Sequence, residues 1–406
     1  MISYILKDTK YSKIQKNLFL VFLLMCWLNF GNYSWLIYTW DGMPNENLFL
    51  EVIANLRILI PILTVLYLYQ IKVYNRKIKH VIRQNIMLYM LILICFFNIA
   101  ISEEIIKSVT YSIWLLFSII VIHLTVYETK SDVDLIKLIK FGSVITVVLV
   151  LPSIPFLLED NERTFFSSKN YYAYAIAIHI LSEFYLFTKS KINNHKYLRW
   201  GVIILLIMVL FLSGRRAPLL CCLIGCLFYL YKSNKLIFIT ILLFSSSLIP
   251  YVLSSNFFGF KMSDSLTYSR VNRIIESGDN SDSSYDQREF IWGLYLKAFS
   301  DSPIIGNGLN TNVSNLSRYY SGELDELSYH NSYLQILVEL GLIGFLIFNI
   351  YLISVLKQFI RHKQIVLFPI LLAILFINWF ESNILPGQIF FIFSFSLFAL
   401  IKKNND

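Results

Sequence analysis

Apolar residues fall in continuous runs, not alternating ones, at about 17–38, 50–70, 86–101, 109–127, 136–158, 170–187, 200–212, 217–231, 235–253, 332–355, 365–380 and 385–401. Runs of roughly 17 to 25 residues suit helices that cross a hydrocarbon core about 30 Å thick. Alternation, the mark of a transmembrane barrel, is missing. The pattern predicts an all-α polytopic membrane protein with about 12 transmembrane helices. The shorter runs are held in register by the charges that flank them.

One connection is unlike the others. Ser254–Tyr329 spans about 76 residues between the ninth and tenth runs, whereas every other connection is shorter than about 15. Long loops are usually functional. The chain divides accordingly into 1–253 (spans one to nine), 254–331 (an extracytoplasmic, periplasmic catalytic loop) and 332–406 (spans ten to twelve and a cytoplasmic tail). Within the loop, Asp264–Ser277 carries apolar residues at helical spacing, and Ser277–Asp286 reads as a polar turn. Arg288–Asp301 reads as a helix, stopped by the turn Asp301–Gly308.

Composition sharpens this picture. With 56% apolar and 15% charged residues, a soluble enzyme is excluded. The formal net charge of +9 would fit a nucleic-acid binder if it were clustered. It is instead spread over short loops. With the N-terminus placed in the cytoplasm, 23 of the 35 Lys and Arg fall in inner segments and 11 in outer ones, with Arg57 inside a span. That is the positive-inside pattern, so the charge reports orientation and no nucleic-acid partner is expected. Both termini are expected in the cytoplasm, with the first run a retained helix and not a signal peptide. Cys26, Cys95, Cys221, Cys222 and Cys226 all lie inside apolar runs and offer neither a disulfide framework nor zinc spacing.

Topology then sorts the candidates for chemistry. Of six histidines only His330 falls on the outer face, where the long loop enters the tenth run. It can cap that helix beside Asn331, or serve as the base near neutrality that a sugar hydroxyl needs. The outer turn Ser213–Pro218 carries Arg215 and Arg216, which either reach lipid headgroups or bind phosphate through their planar forks. Arg288 can pair with Asp286 or Glu289 or take an anion. Lys169 and Asn170 open the sixth run from the outside. Asp279, Asp282, Asp286, Glu323, Asp325 and Glu326 show no specific metal spacing, so no metal and no cofactor are expected. P-loop, Rossmann and Gly-x-Ser-x-Gly signatures are lacking.

In chain order these features form a set: the Arg-bearing turn, an R-x-x-x-W helix from Arg288, a P-x-x-G-x-G turn (Pro303, Gly306, Gly308), then H-N-S-Y-L-x-x-L-x-E-x-G-x-x-G from His330 to Gly344. The set resembles the O-antigen polymerase and O-antigen ligase superfamily of bacterial surface polysaccharide assembly. The resemblance is strong over Arg288–Gly344 and weaker over Phe165–Ala175 and Ser213–Pro218. It implies metal-independent, inverting glycosyl transfer at the periplasmic face of the bacterial inner membrane. The donor would be an undecaprenyl-pyrophosphate-linked oligosaccharide and the acceptor a sugar hydroxyl. It further implies that His330 activates the acceptor and that Arg288 and a turn arginine hold the pyrophosphate. Arg216 maps to the turn position, with Arg215 standing where the family has a small or polar residue. Lys169 and Asn170 would line the substrate site. A chain-length regulator and a flippase are the partners the resemblance suggests.

Within the family the expectation is a polymerase, because the His330 motif and the P-I-I-G-N-G turn are closer to polymerase and capsule-type members. The alternative is a ligase that moves finished polymer onto lipid A core. From another class, a transporter or flippase would need ionisable groups near the midplane. Such groups are few away from the ends of the runs: Arg57, His123, His179, Glu183 and Glu339.

Overall fold

The structure is a computed structural model of the chain. It describes residues 11–28, 48–102, 104–144, 169–189, 196–212, 216–233, 256–257, 260–261, 283–309, 316, 318–320, 329–381 and 389–403. The predicted span 235–253, the predicted helix 264–277 and most of the long loop lie outside these residues. The fold is helical: α1 (Lys13–Leu28), α2 (Leu48–Gln70), α3 (Lys72–Gln84), α4 (Ile86–Asn98), α5 (Ile105–Glu128), α6 (132–144), α7 (Lys169–Lys189), α8 (Lys196–Leu212), α9 (Arg216–Ser233), α10 (Ser283–Asp301), α11 (Ser332–Arg361), α12 (Phe368–Phe380) and α13 (Ile389–Lys403). Two two-residue strands, Asn256–Phe257 and Phe260–Lys261, pair antiparallel within the loop.

Length and apolarity qualify α5 and α11 as membrane-crossing helices. The pair Asn55–Gln70 and Lys72–Gln84 qualifies as one broken unit. Ile86–Ile101, Tyr197–Phe211, Ala217–Lys232 and Ile365–Phe380 are apolar but shorter. The segment 71–85, expected as an inner loop, is the helix α3, set at 116° to α2. Tyr74, Ile78 and Val81 recur at helical spacing and are buried, so an apolar stripe folds this charged segment onto the bundle.

Two groups of helices are joined by the last three. In one, α5 packs against α1, α2, α3, α4 and α13, and α4 against α11. In the other, α7 packs against α8, α9 and α12, and α9 against α12. Contacts of α11 with α12 and α13 close the bundle. Buried charges are paired, as the cost of desolvation demands. Glu183 on α7 receives Lys140 from α6 and Arg199 from α8, and Arg199 lies 4.0 Å from the centre of the Phe187 ring. The five cysteines are free thiols, four of them buried.

Helix α11 is broken where the long loop returns to it. Gly341 has φ 65° and ψ −172°, which a helix does not allow. An intact helix would carry bonds from the amides of residues 342 and 343 to the carbonyls of 338 and 339. Instead the Leu342 amide donates to the Pro303 carbonyl (2.8 Å) and Ile343 to Ile304 (3.2 Å). In return Asn307 donates to Val338 (3.0 Å) and Gly308 to Glu339 (3.0 Å). Four bonds to the turn replace two lost within the helix. Only glycine admits so close an approach. A Cβ on Gly306 would stand 2.3 Å from the Glu339 carbonyl oxygen and one on Gly341 2.4 Å from that of Ile304. The two glycine motifs of the sequence are therefore the two halves of one joint, and it locks α10 to α11.

Candidate functional site

His330 stands one residue before the Asn331 cap of α11, 11 residues ahead of Gly341. Its backbone is fixed on both flanks. Tyr329 stacks on Tyr295 of α10 at 3.7 Å between ring centres, and its carbonyl accepts from Trp292 Nε1 at 2.9 Å. Asn331 Oδ1 accepts from the amides of Tyr333 (2.9 Å) and Leu334 (3.0 Å), a full N-cap. Between these anchors His330 takes φ 45°, a left-handed conformation uncommon for a side-chain-bearing residue and often found at functional sites.

The imidazole meets a carboxylate that the sequence reading did not single out. His330 Nδ1 lies 3.3 Å from Glu381 Oε2, with the histidine side chain 28% exposed and the glutamate 4%. Glu381 ends α12, donating its amide to Ile377 (2.8 Å) and accepting from Ser332 Oγ (2.7 Å) at its carbonyl. An ionised carboxylate there requires the proton on Nδ1, which leaves the Nε2 lone pair facing away, ready to take a proton. A carboxylate so placed can also offset the charge of an imidazolium.

Arg288, in the second turn of α10, brings its guanidinium carbon to 6.0 Å from the centre of the Phe380 ring. Phe380 directly precedes Glu381, so the predicted cation and the predicted base converge on two consecutive residues at the end of α12. Arg288 makes no ion pair among the described residues, and its donors remain available to an anion. At the other end of α10, Asp301 holds Arg318 at 3.3 Å and accepts the Tyr319 hydroxyl, and this bond raises that phenol above its usual range.

Helix register places the remaining candidates. Gly225 of α9 faces Pro369 of α12, and Tyr229 donates to the Val366 carbonyl at 2.9 Å, so these helices run antiparallel. Gly225 also faces Leu181, and Tyr229 stacks on Phe184, so α7 and α9 run parallel. Arg216 precedes Gly225 by 9 residues and Phe380 follows Pro369 by 11, rises of about 13 and 16 Å. Arg216, the first residue of α9, therefore stands at the same end of the bundle as Glu381, as do Lys169 and Asn170, which open α7. The side chains of these three, and all of Arg215, lie outside the described residues.

Among the described residues no three His, Cys, Asp or Glu side chains gather as a metal site. The loop carboxylates Asp279, Asp282, Glu323, Asp325 and Glu326 lie outside them. A signal for Glu381 was nonetheless present: a carboxylate in the short polar interruption between the last two apolar runs is as exceptional as the arginines of Ser213–Pro218.

A family model described as O-Antigen ligase matches residues 201–349. The match takes in Arg215, Arg216, Arg288 and His330 and stops short of Lys169, Asn170 and Glu381. No curated protein matches the chain.

Proposed function

From the match of residues 201–349 to a family model described as O-Antigen ligase, we propose that the chain is a surface-polysaccharide polymerase. The observation that carries the proposal is the meeting of His330, Glu381 and Arg288 at the end of α12. In this reading His330 Nε2 takes the proton of an acceptor sugar hydroxyl on one lipid-linked repeat unit. The freed oxygen attacks the anomeric carbon of another from the face opposite its leaving group. That bond to phosphate breaks with inversion, and undecaprenyl pyrophosphate departs. Arg288 and Arg216 neutralise the charge that develops on it, with Arg215, Lys169 and Asn170 around the donor. Pyrophosphate so neutralised leaves without a general acid, and no metal is required. Each arginine supplies transition-state stabilisation on the scale of roughly 3 to 4 kcal/mol.

The proposal includes a topology. About twelve spans cross the bacterial inner membrane with both termini in the cytoplasm, and residues 254–331 form the periplasmic catalytic loop. A chain-length regulator and a flippase would work beside it.

A second reading, the ligase, draws support from the description of the matching family. The transporter reading loses support, because most of the intramembrane ionisable groups are engaged within the protein. Glu183 holds Lys140 and Arg199, His179 meets Ser143 at 2.8 Å and His123 meets Tyr89 at 3.2 Å. Glu339 accepts from Gln335 at 3.1 Å, and Arg57 lies over Trp114. The test is the surface-polysaccharide ladder on a gel from a deletion strain complemented with the native chain or His330→Ala. A ladder reduced to core plus one repeat unit supports the polymerase. Accumulation of full-length lipid-linked polymer makes it the ligase, and an unchanged ladder refutes both.

A further inference from the structure

Helix α3 carries two stripes of opposite character. Tyr74, Ile78 and Val81 are buried against the bundle, while Lys72, Arg76, Lys79 and Arg83, at the same spacing two residues out of phase, are exposed on the other face. No acidic residue interrupts the helix. Lys77 reaches back to Glu128 of α5, but no ion pair engages the four exposed cations among the described residues. In the topology proposed above, the 116° turn from α2 lays this face across the end of a span, at the depth of lipid headgroups.

At the far end of α3 a small cleft is walled by Gln84, Asn85, His123, Lys402 and Lys403, among others. It lies at the opposite end of α4 from the joint, since Asn85 precedes α4 while Asn98 at its close donates to the Ile305 carbonyl at 2.7 Å. Two lysines and no carboxylate line it. The donors of Lys403 are spent on the carbonyls closing α5, at 2.9 Å from Val126 and from Tyr127. Lys402 lies 5.0 Å from the Tyr351 ring centre and has no ion pair among the described residues. His123 is 2% exposed and its Nε2 has no partner, and the buried Asn85 Oδ1 and Tyr351 hydroxyl lack one as well. With Nδ1 accepting the Tyr89 hydroxyl, His123 Nε2 becomes an N–H donor beside Lys402. An unpaired cation at the rim of a carboxylate-free cleft fits an anion.

We propose that α3 and the rim of this cleft bind anionic phospholipid headgroups, the basic face gathering them and Lys402 at the rim holding one phosphate. A membrane-level basic stripe selects lipid over an acidic protein segment, because the helix is continuous with a membrane-crossing one and its charges face away from the bundle.

The test uses the full-length chain reconstituted in a three-to-one mixture of phosphatidylethanolamine and phosphatidylglycerol, extracted with its surrounding lipid by an amphipathic polymer. The native chain should carry a several-fold excess of phosphatidylglycerol over the bulk ratio. K72Q/R76Q/K79Q/R83Q should lose the part that raised salt screens. Lys402→Gln should lose the part that survives raised salt. A native annulus at the bulk ratio, or a quadruple variant that keeps the whole excess, overturns the proposal. So does release of the salt-resistant lipid by inorganic phosphate alone, which would make the cleft a free-anion site. If the annulus is unselective yet the quadruple variant still loses the polysaccharide ladder in cells, the face belongs to an acidic protein and the lipid proposal fails.

Discussion

Glu381→Gln isolates the charge of the carboxylate from its shape. In the native chain the carboxylate lies 3.3 Å from His330 Nδ1 with its side chain 4% exposed, so little water is present to replace what it does. A hydrogen bond to a charged group contributes about 1.5 to 3 kcal/mol. The 3.3 Å separation is long for such a bond, so the low end applies: about 1.5 kcal/mol, or roughly a tenfold fall in the transfer rate. The glutamine keeps an acceptor oxygen, and the backbone carbonyl of 381 keeps the Ser332 hydroxyl, so stability should change little. Single-turnover transfer between purified lipid-linked oligosaccharides measures the rate, and thermal unfolding of the same preparations checks the fold. His330→Ala, which removes the base itself, should cost about a hundredfold to ten-thousandfold. Glu381→Gln at the native rate, or a Glu381→Gln defect that persists in full in a His330→Ala background, would refute a role through His330.

Other parts of the structure make further predictions. Arg288→Lys keeps the charge but loses the fork, and should lose most of the activity lost in Arg288→Ala, about 3 kcal/mol by initial rates. Gly341→Ala places a Cβ against the Ile304 carbonyl at a positive φ. It should destabilise the chain by about 1 to 3 kcal/mol, seen as a lower unfolding temperature, and Gly306→Ala should do the same from the other side of the joint. Arg216→Ala should weaken donor binding while Arg216→Lys partly restores it, read from the donor concentration at half-maximal rate. A strong chelator should leave transfer unchanged, and restoration of lost activity by added divalent metal would overturn the metal-independent mechanism.

Much of the architecture was legible because it follows from apolar run length. Helices α2, α5, α9 and α11 begin within a few residues of the runs that predict them. Helix α3 was hidden by its charge, since a segment with six Lys, Arg and His reads as a loop until the buried positions 74, 78 and 81 are counted by helical period. Arg288 and His330 stood out as exceptions to the expected topology, a cation and a base on its expected outer face. Glu381 is an exception of the same kind, but its pairing with His330 was not legible, because the two are 51 residues apart and only the pairing of α11 with α12 brings them together. The glycine motifs at 306 and 341 were visible as motifs, but nothing local says that the two exchange backbone bonds.

The register of the bundle has an electrostatic consequence. Helices α7, α9 and α11 all begin at the end where Glu381 lies. Each helix start carries the equivalent of about half a positive charge from its aligned peptide dipoles. Three such starts are set against the closing turns of α8 and α12, which carry the opposite sign at that end, so the backbone leaves a smaller net positive charge there before any arginine is counted. Neutralising the arginines one at a time should therefore weaken the hold on a diphosphate in steps and not abolish it, because part of the attraction is written into the direction in which the helices run.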